Sequence, residues 1–486
     1  MQRIQINLWC RDYKRIVMRF LLLFLPLLLA ADTTEEQLKK LQARISHLEA
    51  EHNSTASNLE DMLVVVDNVE RKSFTDIIDL TPEVRLRFDK MHYKVGKFEP
   101  FETPNPDGTI ERNRDDFDKD FDVASSARFR LNMRAKLLED ISFNGRLVFQ
   151  HSTQSDQRLC ILSNDIKSSG SLSGIDFDRA YFDYRFNTHS DYPFIFSFGI
   201  LPTSGGTPMQ YAEVRARQSV FPALVFDMDS YGVILTSELT PLLGGKSFLR
   251  AIAAQAYTLD PNIYPYQCNR ETIDNADIYG LYFDTHMTPH TLFSAGVNFL
   301  HKLKAHPYLG PDVTADNADD LGTMATFGLG VDAEKVAGSG ITLFIHTAMS
   351  HPHANGNKDD YGPSSDVNFT NSDYASGEML SNNGYSVYAG LLYDFSPSWT
   401  LGAEYNYGSK YWFAATQGSE DMYNKLATRG DVYEGYLIWK FNRYMFSKLG
   451  YMHTNEDYTG SGWHFGAPIE KGGLQQVGYL QLNASF

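Results

Sequence analysis

Beyond about residue 83 the apolar side chains recur at every second position, stretch after stretch. Such a period restricts the chain to β-strands with two unlike faces. ARFRLNMRAKL, residues 127–137, shows the pattern in its strongest form. Arg128, Arg130, Asn132, Arg134 and Lys136 fall on one face, and Phe129, Leu131, Met133 and Ala135 on the other. Sixteen stretches read as strands, near 83–93, 127–137, 141–151, 177–186, 194–201, 229–238, 248–258, 276–287, 291–301, 323–334, 340–350, 384–395, 398–408, 431–442, 445–455 and 476–486. An even count is what a closed bacterial membrane barrel needs. The connections alternate in length. Leu138–Asp140, Ser396–Pro397 and Asn442–Tyr444 are short, whereas 94–126, 152–176, 302–322, 350–383 and 409–430 are long. Short turns at one end and long loops at the other are the barrel pattern.

The sidedness suggests where each face lies. An Arg or Lys on the lipid face at the bilayer midplane costs about 2–4 kcal/mol, so cations belong inside. Neighbouring stretches repeat the division. Arg85 and Arg87 oppose Val84, Leu86 and Phe88, and Arg146 opposes Ile141, Phe143, Gly145, Leu147 and Phe149. Arg179, Asp183 and Arg185 alternate with Ala180, Phe182 and Tyr184. Four successive strands thus predict a basic wall of Arg85, Arg87, Arg128, Arg130, Arg134, Lys136, Arg146, Arg179 and Arg185 as pore-lining, solute-binding residues. Such a wall draws in anionic or zwitterionic solutes. It could equally pair with carboxylates of an inward loop and hold the barrel's shape. Residues 202–226, rich in Gly and Pro, carry Glu213, Arg215 and Arg217 and form either a constriction or an outer loop.

The 486 residues carry a formal charge of −17, which argues against a nucleic-acid binder. Mean hydropathy of −0.33 excludes a bundle of membrane helices. Residues 18–32, MRFLLLFLPLLLAAD, have the form of a secretory signal, and residues 1–31 are expected to leave on export. Residues 32–72 repeat apolar positions at alternating spacings of three and four, from Leu38 to Val69, interrupted at His52 and Thr55. That seam predicts a periplasmic coiled coil that gathers three copies, or one amphipathic helix. Residues 73–82 read as a linker and 83–486 as the barrel. Cys10 falls in the signal, leaving Cys160 and Cys268 able to pair in an oxidising compartment. The acidic stretches 107–122, 312–320 and 355–366 read as solvated loops.

No nucleophile elbow, phosphate loop or dinucleotide fingerprint is present, and His351-Pro352-His353 is a weak metal pair. No catalytic residue, metal or cofactor is assigned. The final segment, GYLQLNASF, places Leu480, Leu482, Ala484 and the terminal Phe486 on one face. With the signal, the heptads, RFRLNMRAKLLEDISFNGRL, DRAYFDYRF and FGILPTSGGTPMQYAEVRARQSVFPALVFD, the chain resembles an uncharacterised proteobacterial family of outer-membrane β-barrel porins, a domain of unknown function. The resemblance implies an all-β transmembrane antiparallel barrel. It also implies passive diffusion of small hydrophilic solutes across the bacterial outer membrane, among lipid and lipopolysaccharide. It supplies no solute. A barrel that tethers the envelope through its coiled coil, without conductance, is the competing reading.

Overall fold

The computed structural model describes residues 42–47, 78–96, 103–104, 110–111, 117–152, 174–257, 276–302, 322–354, 382–416, 421, 423–458, 468 and 470–486. Sixteen strands form the barrel staves. They are β1 (Ile78–Val95), β2 (Ala124–Lys136), β3 (Ile141–Ser152), β4 (Gly174–Phe186), β5 (Phe194–Leu201), β6 (Ser230–Glu238), β7 (Ser247–Tyr257) and β8 (Ala276–Thr288). They continue as β9 (Thr291–His301), β10 (Gly322–Ala333), β11 (Ile341–Ala354), β12 (Gly384–Ser396), β13 (Trp399–Gly408), β14 (Arg429–Lys440), β15 (Met445–Tyr458) and β16 (Glu470–Ser485). The four-residue strand Phe117–Asp120 also pairs with β1, continuing the line of β2. Every stave pairs antiparallel with its neighbour in sequence, and β1 pairs with β16 from Glu83↔Ser485 to Lys94↔Leu474. That last ladder closes the sheet and leaves no open edge, as hydrocarbon demands of a spanning β-structure.

The expected sidedness is present. Arg128 and Arg130 point inward, while Phe129 between them is 37% exposed on the outer surface. Leu86, Phe88, Phe149, Leu281, Leu329, Leu391, Leu449 and Leu480 are likewise exposed, forming an apolar outer band. Aromatic groups gather at the short-turn end, where Trp399 stacks on Trp439 at 5.4 Å and Tyr444 stacks on the terminal Phe486 at 6.0 Å. Such groups suit the interfacial girdle of a membrane barrel. Long connections all leave the opposite end.

All sixteen stretches read from periodicity correspond to staves, but the first begins at Ile78, five residues earlier than expected. Ile78–Pro82 belong to β1 and pair with β2 from Ile78↔Ala135 to Pro82↔Leu131. Pro82 lacks a backbone donor. Its carbonyl accepts from the N–H of Phe486. Residues 42–47 are helical. The signal, the rest of the predicted coiled coil, Cys160, Cys268 and most of the acidic stretches lie outside the described residues. Among the described residues no helix is long and apolar enough to cross a membrane, which has no bearing on a barrel.

Candidate functional site

The barrel interior is the place where polar chemistry concentrates. All nine predicted wall cations sit at inward positions of β1–β4, yet most do not meet bulk water. Arg130 is 2% exposed and Arg146 1%, and Arg85, Arg128 and Arg179 are also buried. Arg134, Lys136 and Arg185, near the short-turn mouth, are exposed. Carboxylates and an inward segment cover the middle of the wall, which is the paired arrangement that the sequence left open beside an exposed one.

The main counterion is Asp178, which strict alternation would not pair with Arg179 on one face. The register of β3 and β4 shifts there, from Arg146↔Arg179 to Leu147↔Phe177, so Asp178 is the extra residue of a β-bulge. Asp178 and Arg179 both turn inward and are buried. Arg146 Nε donates to the two Asp178 carboxylate oxygens at 2.7 and 2.9 Å, and Arg130 lies 3.8 Å away. The signal was present in the sequence. Ile175 and Phe177 face outward on odd numbers, whereas Phe182, Tyr184 and Phe186 do so on even numbers. Next along the wall, Arg87 donates to Asp89 at 2.7 Å and lies 4.1 Å over the Tyr479 ring.

Residues 202–228, between β5 and β6, fold into the lumen. Thr203, Ser204 and Thr207 are fully buried, as are Phe221, Phe226 and Met228. A Cβ at Gly206 would fall 1.6 Å from the Phe221 carbonyl oxygen, so only glycine lets the two arms of the segment meet. Asp227 clamps the base by accepting from the Gly205 N–H at 2.6 Å. One flank of the segment is apolar. Phe221, Val225, Phe226 and Met228 pack on Ile234, Ile252, Ile278, Tyr282 and Leu300 of the wall. Asn298 Nδ2 donates to the Val225 carbonyl at 2.8 Å, and Asp332 accepts from Thr207 while meeting His346 Nε2 at 2.8 Å.

The tip of the segment is polar and crosses to the basic wall. Arg179 donates to the Gln218 and Ser204 carbonyls at 2.7 and 2.6 Å, and Arg146 Nη1 donates to Gln218 Oε1 at 3.2 Å. Arg215 lies 3.6 Å from Glu83, and Arg217 donates to Asp284 at 3.1 Å. Glu213 sits among cations. Burial opposes its charge, but Arg85, then Arg215, Lys448 and Arg128, outweigh it and hold the carboxyl below its usual range. The three residues expected at a constriction are thus brought together on this tip.

A second inward segment lies between β13 and β14, where the sequence suggests only a long loop. It has no two-residue alternation, but it has the compact run Trp412-Phe413-Ala414-Ala415, buried at 0–1% exposure. Asp227 N–H donates to the Ala415 carbonyl at 2.8 Å, joining the two segments. Lys425 pins it to the wall: its ammonium pairs with Glu404 and, at 2.6 Å, with Glu434. Burial disfavours that charge, yet Glu404 and Glu434 raise the Lys425 pKa well above its usual value. Tyr388 and Tyr436 donate to Glu404 at 2.6 Å, one to each carboxylate oxygen. His351 and His353 lie extended on β11 and face outward. Among the described residues no group of three or more His, Cys, Asp or Glu is placed to hold a metal.

A family model described as a protein of unknown function, DUF3373, matches residues 118–484. No curated protein matches the chain. Solved structures that match include OprB of Pseudomonas putida at high pH, 10% identical over 86% of this chain and 96% of that one, with a TM-score of 0.46. Salmonella typhi OmpF in complex with daunomycin is 9% identical over 84% and 97% of the two chains, with a TM-score of 0.43. The outer membrane channel DcaP of Acinetobacter baumannii is 12% identical over 85% and 98%, with a TM-score of 0.38.

Proposed function

We infer that this chain, which belongs to the DUF3373 family of proteins of unknown function, is an outer-membrane channel for passive diffusion of small hydrophilic solutes. The observation that carries the reading is the sidedness of a closed barrel: an apolar outer band around an interior lined by ionic and hydrogen-bonding groups. A barrel built only as a scaffold could fill its interior with apolar side chains. Here the apolar packing of the inward segments lies against β6–β14, while ionic groups line β1–β4 and continue through Asp284, Glu404 and Glu434 to Lys448. The passage opens at the short-turn mouth beside the exposed end of the basic wall and runs past the docked tip at Glu213–Gln218. Its preference for anions arises at the short-turn mouth, where Arg134, Lys136 and Arg185 are exposed, because Asp178, Asp89 and Glu213 offset the cations deeper in. The heptads of residues 32–72 assemble three copies on the periplasmic side.

Reconstitution of refolded full-length protein into planar bilayers tests the channel. Stepwise conductance is expected, with a reversal potential displaced towards anions; absence of any step removes the reading, and cation selectivity removes the anion preference. The burial of Arg130 and Arg146 beneath the inward segment favours a second reading, a plugged barrel that tethers the envelope. That reading gives no conductance and a loss of envelope integrity when residues 32–72 are deleted.

A further inference from the structure

A cavity of about 260 Å³ opens inside the lumen at the short-turn end, bounded by β1–β4. Its volume lies just below the range of pockets that hold drug-sized ligands, so it suits a smaller solute. Asp79, Asn132, Arg134, Asn144, Arg179 and Tyr181 line it, with Arg146 at the same wall.

The lining divides by chemistry. Arg146 and Arg179 already donate to Asp178 and to carbonyls of the inward segment, so they act as fixed positive potential. Arg134 differs. It and Asp79 are register partners on adjacent strands, both exposed. Among the described residues neither side chain makes a hydrogen bond or a close ion pair, and Arg134 is within electrostatic reach of Asp183. A guanidinium presents a fork that matches a carboxylate. Opposite it, the Asp79 carboxylate is joined by two amide oxygens. Asn132 spends its Nδ2 on Thr81 O at 3.2 Å and Glu83 at 2.7 Å, and Asn144 spends its Nδ2 on Asp183 at 3.1 Å. Their oxygens remain as acceptors. Three acceptors beside one carboxylate-binding fork match an ammonium and a carboxylate carried by one small molecule.

We propose that this cavity is a docking subsite for small zwitterions, with the carboxylate on Arg134 and the ammonium on Asp79, Asn132 and Asn144. The subsite rests on the channel reading and names the solute class that the lumen favours at its short-turn mouth.

Binding to the full-length protein in detergent micelles is measured by isothermal titration calorimetry with three probes. L-serine carries both groups, lactate only the carboxylate and ethanolamine only the ammonium. L-serine is expected to bind saturably, and the other two at least about tenfold more weakly. Arg134→Gln weakens L-serine and lactate about tenfold and spares ethanolamine; Asp79→Asn weakens L-serine and ethanolamine and spares lactate. Arg134→Lys, which keeps the charge and loses the fork, weakens L-serine less than Arg134→Gln does. Unheated gel mobility reports folding of each variant. Equal affinity for the three probes, or an unchanged L-serine affinity in folded Arg134→Gln, overturns the subsite. Bilayer recordings separate the two claims. Conductance without L-serine binding removes the subsite and leaves the channel, whereas binding to a protein that never conducts removes the channel and with it the transport role of the subsite.

Discussion

Replacing Asp178 by Asn removes the charge at the centre of the wall while keeping its volume. In the folded barrel Asp178 accepts from Arg146 Nε and Nη2, lies 3.8 Å from Arg130 and adjoins Arg179 in sequence. All three guanidiniums are buried, so water does not replace the lost carboxylate. Removing one partner of a buried ion pair costs about 3–5 kcal/mol. Asn retains one acceptor oxygen, which puts the expected loss at the lower end, about 3 kcal/mol. With a urea slope of about 1–3 kcal/mol per molar, the unfolding midpoint falls by about 1–3 M. The variant also adds one net positive charge to the lumen, so its reversal potential moves towards anions. The double variant Asp178→Asn with Arg146→Gln removes both members of the main pair and recovers part of the stability. The assays are urea titration in detergent micelles, followed by tryptophan fluorescence, and bilayer recording in a salt gradient. A midpoint within about 0.3 M of the parent, with unchanged selectivity, refutes the assignment of Asp178 as the counterion of the wall.

Three further outcomes follow from the same geometry. Leu281→Arg puts a cation on the outer band, where Leu281 is 52% exposed, and should cost about 2–4 kcal/mol in vesicle refolding while leaving folding in detergent much less affected. Gly206→Ala drives a Cβ into the Phe221 carbonyl and should loosen the inward segment at a cost of about 1–3 kcal/mol, read as noisier or larger conductance steps. Because the Glu213 carboxyl is held below its usual range, its contribution to docking of the tip is full above the ordinary value of about 4.3 and is lost as pH falls through the lower folded value. Conductance should therefore change in acid, and Glu213→Gln should show the acid behaviour already at neutral pH.

The strands were legible because the membrane enforces one rule at every residue: outward positions are apolar. A single violation costs kilocalories, so the two-residue period survives in Phe293, Ala295, Val297 and Phe299 as plainly as in the basic stretch of β2. Inward positions obey no such uniform rule. Their partners come from distant parts of the chain, as with Lys425 reaching Glu404, or Thr207 reaching Asp332. Nothing local in the sequence records those pairings, so the burial of Arg130 and Arg146 could not be read from it. The bulge at Asp178 was different, because the switch of outward parity from odd to even numbers between Phe177 and Phe182 encodes it.

Spin labels report sidedness most directly. Single cysteines are placed at Phe129 and Leu281, which face outward, and at Asn132 and Arg134, which face inward, in a chain whose Cys10, Cys160 and Cys268 are replaced by serine. After labelling and reconstitution into vesicles, collision with oxygen marks lipid exposure and collision with a soluble nickel complex marks water. Labels at 129 and 281 are predicted to favour oxygen, and those at 132 and 134 the nickel complex. The reverse pattern, or no difference between the two sets, contradicts a barrel with an ionic interior and an apolar outer wall.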